Sequence, residues 1–353
     1  MPLSIATNSD TDPFIASVLA DESSPKKGNA QRYTMPEPIA HTALVAEGGG
    51  QRGIFTAGVL DSWLESGYNP FELLIGTSAG AQNLSSYLTG QAGFAQASIA
   101  KLSKQPEFFN IKRGLKGANA VDLDWYFEQG SDAQFRLNTE YGLTKLKRRS
   151  LLISTTNSSS YQAHFSMPNA TNWLTLLKAS SALPYLYRKG VKIEDDYHVD
   201  GGLSAPLPVE EAYKRGARKI VVIRTMPKEY AAHTPWVNRL KSWICSSNRC
   251  PKALDYFIHH EAAYKHSLQF IASPPDDVEV IEVFPESRLV SHILGSADTE
   301  LSHDYKMGIV AGKAFIESNP LANFMSGGKI ELINKSRSDS LGKHEHKLGF
   351  RYC

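Results

Sequence analysis

A serine flanked by glycines is the feature of this sequence that most directly suggests chemistry. Ser78 lies in the run Gly76-Thr-Ser-Ala-Gly80, directly after the apolar residues Leu73-Leu-Ile75. A G-x-S-x-G run between a strand and a helix is typical of a nucleophile elbow, a sharp turn that exposes the serine hydroxyl. A helix that begins at Ala79 adds backbone N–H groups and a positive dipole end beside that hydroxyl. We predict that Ser78 is a nucleophile; the plainer interpretation is a serine that caps the helix.

A glycine-rich run earlier in the chain could bind a nucleotide. Glu47-Gly-Gly-Gly-Gln-Arg-Gly53 follows an expected strand, Ala43–Ala46, and precedes an expected helix, Ile54–Ser66. Its glycines have the G-x-G-x-x-G spacing of a dinucleotide site, and Glu72 follows about 20 residues on, as such sites require. In those sites, however, the acid ends its strand, at the sheet edge where the ligand binds. Glu72 instead lies at the start of the strand Phe71–Ile75, which argues against a nucleotide.

The same glycine loop suits an oxyanion hole. An oxyanion hole needs backbone N–H groups close to the developing negative charge, and glycine has no β-carbon to block the approach. If the loop and the serine turn end adjacent parallel strands, they face one another. Arg52 could orient the loop or meet an anionic head group, although pairing with a surface carboxylate is the plainer explanation.

The base that a nucleophilic serine requires is less obvious. His198 lies two residues before Asp200 on one expected strand, so the two side chains share a face. The histidines further along lie in segments without a recognisable site signature; they are His233, His259, His260, His266, His292 and His303. Asp200 ends a strand and is followed by Gly201-Gly202, again a carboxyl-end position, although Asp-Gly-Gly alone usually marks a turn.

Four runs together resemble the patatin-like phospholipases in order and spacing, over roughly residues 42–225. They are Glu47–Gly53, Gly76–Gly80, Ala179-Ser-Ser-Ala-Leu-Pro184 and Asp200-Gly-Gly202. The resemblance implies a three-layer α/β/α fold and a Ser–Asp dyad without histidine that cleaves acyl esters of lipids. The sequence has Glu47 where aspartate is common in that family, and the region after residue 225 contains no motif that matches it.

The resemblance also implies a role for each residue that matches these runs. Ser78 would be the nucleophile and Asp200 the base. The oxyanion-hole segment would comprise Gly48, Gly49, Gly50, Arg52 and Gly53, with Gly76 and Gly80 in the elbow and Gly201 and Gly202 after the base. Because a free aspartate titrates near 3.9, it can take a serine proton only in a partly dry site. We therefore expect Asp200 to be desolvated and to hydrogen-bond Ser78 directly.

Composition excludes several classes of protein. The 353 residues are 42% apolar and 21% charged, with a net charge of +2, so nothing favours nucleic-acid binding. Three cysteines argue against a disulfide scaffold or a zinc site. The N-terminus lacks a secretory signal and no run of 18 apolar residues occurs. We expect a soluble cytoplasmic protein that needs no metal or cofactor and visits membrane surfaces.

Alternating strand and helix patterns predict a mainly parallel sheet covered on both faces. The expected strands are Ala43–Ala46, Phe71–Ile75, Leu151–Thr155, Tyr161–Ser166, Tyr197–Asp200, Lys219–Arg224 and Val278–Phe284. The expected helices are Ile54–Ser66, Ala79–Leu88, Trp173–Ser181, Pro208–Arg215, Trp236–Ile244, Leu254–Phe270 and Thr299–Ser318. We expect a loosely ordered lead-in (1–40), a catalytic core (41–225), a helical C-terminal part that could form a lid (226–325) and a basic tail (326–353).

The sequence therefore predicts a serine acyl hydrolase of phospholipase A or lysophospholipase type that works through an acyl-enzyme. Two alternatives remain: an esterase with a Ser–Asp–His triad, and a non-catalytic lipid- or nucleotide-binding module. Membrane contact is expected at the basic run Lys145, Lys147, Arg148 and Arg149, or at Trp236–Trp243. Head group, acyl-chain length, positional preference and oligomeric state are not determined by these patterns.

Overall fold

Eight strands form one mostly parallel sheet in the computed structural model, which describes residues 42–228 and 252–318. The strands are β1 (Thr42–Ala46), β2 (Leu73–Thr77), β3 (Ser150–Asn157), β4 (Ala163–Ser166), β5 (Val191–Ile193), β6 (Asp196–Asp200), β7 (Lys219–Ile223) and β8 (Glu279–Val283). Their order is β5-β6-β3-β2-β1-β7-β8, with β4 also paired to β3. The four pairs β3–β2, β2–β1, β1–β7 and β7–β8 are parallel.

Helices cover both faces of this sheet. The α-helices of the described residues are α1 (Gly53–Glu65), α2 (Ala79–Leu88), α3 (Phe94–Lys101), α4 (Ile111–Leu115), α5 (Leu123–Glu128), α6 (Thr139–Leu146), α7 (Trp173–Ser180), α8 (Val209–Lys214), α9 (Lys252–Ala272) and α10 (Asp298–Ser318). Side chains of α1, α2, α7 and α10 form the core on one face, which includes Leu44 of β1. Side chains of α8 and α9 form the core on the other face, which includes Val45. The predicted three-layer α/β/α fold is confirmed.

The predicted strands and helices within the described residues are all present, with bounds that differ by at most two residues. β1 and β2 are buried on both faces, which is why their sequences are continuously apolar rather than alternating. The short strand β5 was not predicted. The lead-in, the basic tail and the expected helix Trp236–Ile244 lie outside the described residues. Among the described helices, none is long and apolar enough to cross a membrane.

The meeting of two strands end to end positions the site. β2 pairs with Ser150–Ser154 of β3, and β6 pairs with Thr155–Asn157. β4 pairs with Ile153–Thr156, which overlaps both segments, so β4 occupies the other edge of β3. β2 and β6 therefore share one edge of β3 and run towards each other, because β2 is parallel to β3 and β6 is antiparallel. Their carboxyl ends are adjacent, which brings the residue after β2 beside the last residue of β6.

Helices α1 and α10 are packed closely enough that glycine is required where they cross. A β-carbon on Gly308 would overlap the carbonyl oxygen of Phe55 in α1. We expect Gly308→Ala to destabilise the fold by about 1–3 kcal/mol through overpacking, measured by urea unfolding. Gly130→Ala is the matched control, because its β-carbon would meet nothing nearer than an oxygen of Phe135 at 3.9 Å. Equal stability of the two variants would contradict this packing.

Candidate active site

Ser78 lies on a sharp turn between β2 and α2. Its backbone has φ 54° and ψ −124°, and residues other than glycine rarely adopt a positive φ. The turn also needs its two glycines. A β-carbon on Gly76 would lie 2.5 Å from the α-carbon of Ala81, and one on Gly80 would overlap the carbonyl oxygen of Ala46 in β1. The geometry is that of a nucleophile elbow.

Ser78 and Asp200 form a direct hydrogen bond at the junction of β2 and β6. Ser78 Oγ donates to Asp200 Oδ2 at 2.7 Å, and the backbone N–H of Gly202 donates to Asp200 Oδ1 at 2.7 Å. Both side chains are buried. Burial raises the pKa of Asp200 from 3.8 to about 6, while the hydrogen bonds from Ser78 and Gly202 oppose that rise. This arrangement meets the geometric condition expected of the dyad; the catalytic roles of both residues stay predictions.

The stretch Ala179–Pro184, noted in the sequence only for its resemblance, supports the elbow. The backbone N–H of Ser78 donates to Ser180 Oγ at 2.8 Å, and Ser180 is fully buried. Gln82 Nε2 donates to Ser181 Oγ at 2.9 Å. Because the N–H of the serine itself is already bonded, the donors of an oxyanion hole must come from elsewhere.

The glycine loop lies directly against the serine. A β-carbon on Gly48 would lie 3.2 Å from the β-carbon of Ser78. The loop continues with positive φ at Gly49 (148°) and Gly50 (58°), which only glycine adopts readily. Among the described residues, no protein group accepts a hydrogen bond from the N–H of Gly48, Gly49 or Gly50. These N–H groups are therefore available to a substrate oxygen.

Buried contacts hold both ends of the loop. Glu47 is buried, and its Oε2 accepts from the N–H of Thr225 at 2.5 Å. Burial raises the pKa of Glu47, and the nearby charge of Arg52 opposes the rise. At the other end, Gly53 packs against the start of α2: a β-carbon there would lie 2.9 Å from that of Ala79. Glutamate at 47 thus ties the loop to the segment that follows β7.

Arg52 folds back over the glycine loop. A β-carbon on Gly49 would lie 3.2 Å from Arg52 Nε, and Arg52 Nη1 is 2.9 Å from Met226 Sδ. Within the described residues, no carboxylate lies within ion-pair distance of Arg52, so the alternative pairing with a surface carboxylate is not seen there. Its position fits the orienting role predicted for it.

Glycine is also required after Asp200. A β-carbon on Gly201 would overlap the side-chain oxygen of Ser154 in β3.

His198, the histidine nearest in sequence to Asp200, hydrogen-bonds Thr155 Oγ1 through Nδ1 at 3.0 Å. Burial lowers the pKa of His198, which keeps the ring neutral. His198 thus supports the strand pair rather than Ser78.

Two cavities meet at Ser78. A groove of about 450 Å³ contains the dyad and the glycine loop, and α9 supplies its far wall. A smaller cavity of about 70 Å³ lies on the other side of Ser78 and is lined mostly by apolar side chains. These include Phe94, Ile99, Phe108, Val121, Leu123 and Tyr126. Gly50, Leu183 and Ile293 border both cavities, so Ser78 lies where the two cavities meet.

Three contributors to this site were not assigned a role from the sequence. Ser180 accepts the N–H of the elbow, and Gln51 is almost completely buried beneath the loop. His260, on α9, borders the dyad groove and contacts the carbonyl oxygen of Gly202. The helical pattern of α9 predicted the helix but not which residue would face the groove, because that depends on how the helix packs.

A three-layer fold with a strained serine elbow, facing a glycine loop and an apolar cavity, defines a class of lipid acyl hydrolases. The chain belongs to the patatin-like phospholipase family, whose model matches residues 44–213. A second model, described only as a domain of unknown function (DUF6363), matches residues 250–323. "Uncharacterized protein YjjU" of Escherichia coli (strain K12) is 40% identical over 275 residues, which cover 78% of this chain and 76% of that protein.

A solved structure also shows some likeness. The crystal structure of VipD from Legionella pneumophila shares 15% sequence identity, with 79% of this chain and 67% of that chain covered. Its TM-score is 0.39.

Proposed function

We propose that this protein is a serine acyl hydrolase that cleaves carboxylic esters of lipids, of phospholipase A or lysophospholipase type. The observation that carries the proposal is the 2.7 Å hydrogen bond between Ser78 and Asp200, at the junction of an apolar cavity and a larger groove. The substrate ester lies at Ser78, and the acyl chain and the rest of the lipid extend into the two cavities that meet there. Family membership supports lipids as the substrate class.

The first half of the reaction forms an acyl-enzyme. Ser78 Oγ attacks the ester carbonyl carbon while its proton passes to Asp200 Oδ2. The carbonyl oxygen becomes an anion that accepts hydrogen bonds from the N–H groups of Gly48, Gly49 and Gly50. Collapse of this intermediate breaks the bond to the alcohol oxygen, which leaves with the proton held by Asp200.

The second half releases the fatty acid. A water molecule loses a proton to Asp200 and attacks the acyl carbon, so that the oxyanion forms again in the same loop. The bond to Ser78 Oγ then breaks, and the proton on Asp200 returns to the serine. Asp200 must be ionised at the start of each half, and a base of pKa near 6 is ionised but still basic at neutral pH.

The pH profile of kcat/KM tests this role of Asp200. Because the free enzyme needs an ionised carboxylate, activity should fall as the pH drops through about 6, not through the ordinary 3.8. The measurement is kcat/KM on a soluble short-chain ester between pH 4 and 9, in buffers of constant ionic strength. A plateau that extends below pH 5 would contradict a buried base.

Isotope labelling tests which bond is cleaved. The protein is incubated with a phosphatidylcholine of two different acyl chains in water enriched in oxygen-18, and the products are identified by mass spectrometry. We expect free fatty acid carrying oxygen-18, together with lysophospholipid, which also reports the position cleaved. Release of phosphocholine or phosphatidate, which is phosphodiester cleavage, would contradict the proposal.

Two alternative functions predict different experimental outcomes. In a Ser–Asp–His triad, a histidine at the site is essential, and the candidate is His260 because it borders the groove. Its Nδ1, however, lies against the carbonyl oxygen of Gly202. In a non-catalytic lipid- or nucleotide-binding module, ligand binding persists but no ester is turned over. Fatty-acid release that depends on Ser78 separates this second case from the enzyme.

Contact with a membrane surface is part of the proposal, since lipid substrates lie in membranes. The basic run expected to make it, Lys145, Lys147, Arg148 and Arg149, directly precedes β3. Ser78 follows the carboxyl end of β2, which is parallel to β3. The basic run precedes β3, so it lies at the opposite, amino-terminal end of these strands. The segment Trp236–Trp243 lies outside the described residues. A surface nearer the groove is therefore a better candidate.

A further inference from the structure

The part of the chain matched by the model of unknown function contacts both catalytic loops. It contains α9, β8 and α10, together with the segment that joins β8 to α10. We propose that it completes the active site by fixing the glycine loop and the Asp200 loop, with His260 positioning the latter. This inference rests on the proposed function.

The glycine loop is held from this part of the chain by three contacts. The N–H of Gln51 donates to the carbonyl oxygen of Ile293 at 2.9 Å. Gln51 Oε1 accepts from the N–H of Ser296 at 2.8 Å. Gly50 packs so tightly on Ile293 that a β-carbon would overlap the carbonyl oxygen. The N–H groups offered to the oxyanion are therefore fixed by the segment between β8 and α10.

The loop of the base is held by α9. His260 Nδ1 lies 2.5 Å from the carbonyl oxygen of Gly202. A carbonyl oxygen can only accept, so this ring nitrogen carries the proton and donates. The N–H of the same glycine donates to Asp200 Oδ1 at 2.7 Å. His260 thus fixes Gly202, whose N–H orients the Asp200 carboxylate. Ser78 donates a hydrogen bond to the other oxygen of that carboxylate.

The position of His260 is itself fixed by the turn of α9 that follows. Tyr264, four residues on, is 3% exposed and interacts with the Glu47 carboxylate and with Arg224. Residues four apart lie on one face of a helix, so α9 contacts the start of the glycine loop and the base loop with the same face. A change in the packing of α9 would therefore move both loops together.

A positioning role predicts a change in the pH profile. The hydrogen bond from Gly202 lowers the pKa of Asp200 against the effect of burial, so a loosened Gly202 lets that pKa rise further. The other charged side chains that share the groove are Glu47, Arg52 and Glu261, and the other titratable ones are Tyr185, Tyr256 and Tyr264. These residues stay unchanged in the experiment.

The experiment compares His260→Ala, His260→Asn and His266→Ala with the wild type. Asn places an N–H near the position of Nδ1, and His266 is the matched control: it lies on the same helix, 65% exposed, paired with Glu210. For His260→Ala we expect kcat to fall by about tenfold or more, with KM little changed. The acid limb of its profile should move up by about half a unit to one unit. His260→Asn should restore both, and His266→Ala should match the wild type.

Each other outcome has a distinct meaning. A His260→Ala profile equal to the wild type would overturn the positioning role. Loss of about 10⁴-fold in both His260 variants, with no shift of the limb, would also overturn it and favour a triad. Thermal unfolding shows whether each variant is folded, and His260→Asn keeps the test informative if alanine is not tolerated. A wild type without Ser78-dependent turnover would instead remove the proposed function itself.

A second observation concerns an exposed apolar pair on α4. Ile111 is 63% exposed and Leu115 is 84% exposed, and their spacing of four puts them on one side of the helix. Exposed apolar patches that are rimmed by polar residues mark interaction sites with proteins or membranes. Lys112 and Lys116, both exposed, lie next to them in sequence.

This helix is tied to the rim of the groove. Arg188 donates from Nη2 to the carbonyl oxygen of Gly114 at 3.0 Å and from Nε to that of Ala118 at 3.2 Å. Arg188 and the exposed Lys189 follow Tyr185, which lines the groove and is 49% exposed. The surface near the groove therefore combines protruding apolar side chains with a cluster of cations.

We infer that α4 and residues 185–189 dock on the surface of an anionic lipid bilayer. The apolar pair enters the head-group region, and the cations pair with lipid phosphates. The charge decides the occupant, because a neutral apolar partner would leave these three lysines and Arg188 without counter-charges. This inference, too, rests on the proposed function.

Vesicle sedimentation tests the docking surface. We expect binding to vesicles in which about one lipid in three is phosphatidylglycerol, and little binding to vesicles of pure phosphatidylcholine. The double variant Ile111→Ser/Leu115→Ser should lose about tenfold or more in affinity, and Lys112→Glu/Lys116→Glu as much. Val310→Ser is the matched control, since Val310 is 67% exposed on α10. Turnover of a soluble short-chain ester should be unchanged in every variant.

Equal binding of the α4 variants and the wild type would overturn the docking surface, as would equal binding to neutral and anionic vesicles. Either result would leave soluble-ester turnover intact, and so is distinct from failure of the proposed function.

Discussion

Ser78→Ala is expected to lower ester turnover by roughly 10⁶-fold while leaving the fold intact. The hydroxyl supplies the atom that attacks the ester, and no other group can replace it in an acyl-enzyme route. The measurement is kcat/KM on a soluble ester, with urea unfolding of the same samples. Residual activity within tenfold of the wild type would show that Ser78 is not the nucleophile.

Ser78→Gly is the matched variant for backbone strain. It loses the same hydroxyl, but glycine adopts φ 54° with little cost. We expect it to be as inactive as Ser78→Ala and more stable by about 1 kcal/mol or more, since non-glycine residues held in that region cost about 1–3 kcal/mol. Equal stability of the two variants would show that the turn relaxes and stores no strain.

Asp200→Asn is expected to lower turnover by roughly 10²–10⁴-fold and, above pH 6, to stabilise the protein. The amide cannot accept the serine proton, which accounts for the loss of activity. The gain in stability has a separate cause. Folding raises the pKa of Asp200 from 3.8 to about 6, so the ionised carboxylate is less favourable in the folded state than in the unfolded chain.

This stabilisation has a defined pH window. Above the folded pKa of about 6 the buried charge costs ~2–3 kcal/mol. The cost declines as the pH falls through 6 and is absent below 3.8, where Asp200 is protonated in both states. Urea unfolding should therefore show Asp200→Asn more stable at pH 8, with the difference disappearing near pH 4. An equal difference at both values would mean that burial of the charge is not its cause.

The fold was largely predictable because its signals are local. The continuous apolar runs of β1 and β2 indicate strands buried on both faces, and Gly67 after α1 indicates the end of a helix. The short strand β5 was missed since it has only three residues. The end-to-end meeting of β2 and β6 on one edge of β3 was also beyond reach, because strand direction at Asp200 depends on long-range pairing.

The site residues also differ in how far the sequence could predict them. Ser78, Gly76 and Gly80 are recognisable because only certain residue types can form their turn, and the resemblance to a family supplied Asp200. Gln51 and His260 could not be assigned, because each acts through backbone atoms that any sequence has. Their partners, the carbonyl oxygens of Ile293 and Gly202, carry no signature and lie far away in the chain.

Labelling with a fluorophosphonate probe tests directly whether Ser78 is the nucleophile. The probe reacts with activated serines, and the labelled residue is identified by peptide mass spectrometry. We predict that the wild-type protein is labelled at Ser78, that Asp200→Asn is labelled far more slowly, and that Ser78→Ala is not labelled at all. Equal labelling of wild type and Ser78→Ala, or a label on another serine, would contradict it.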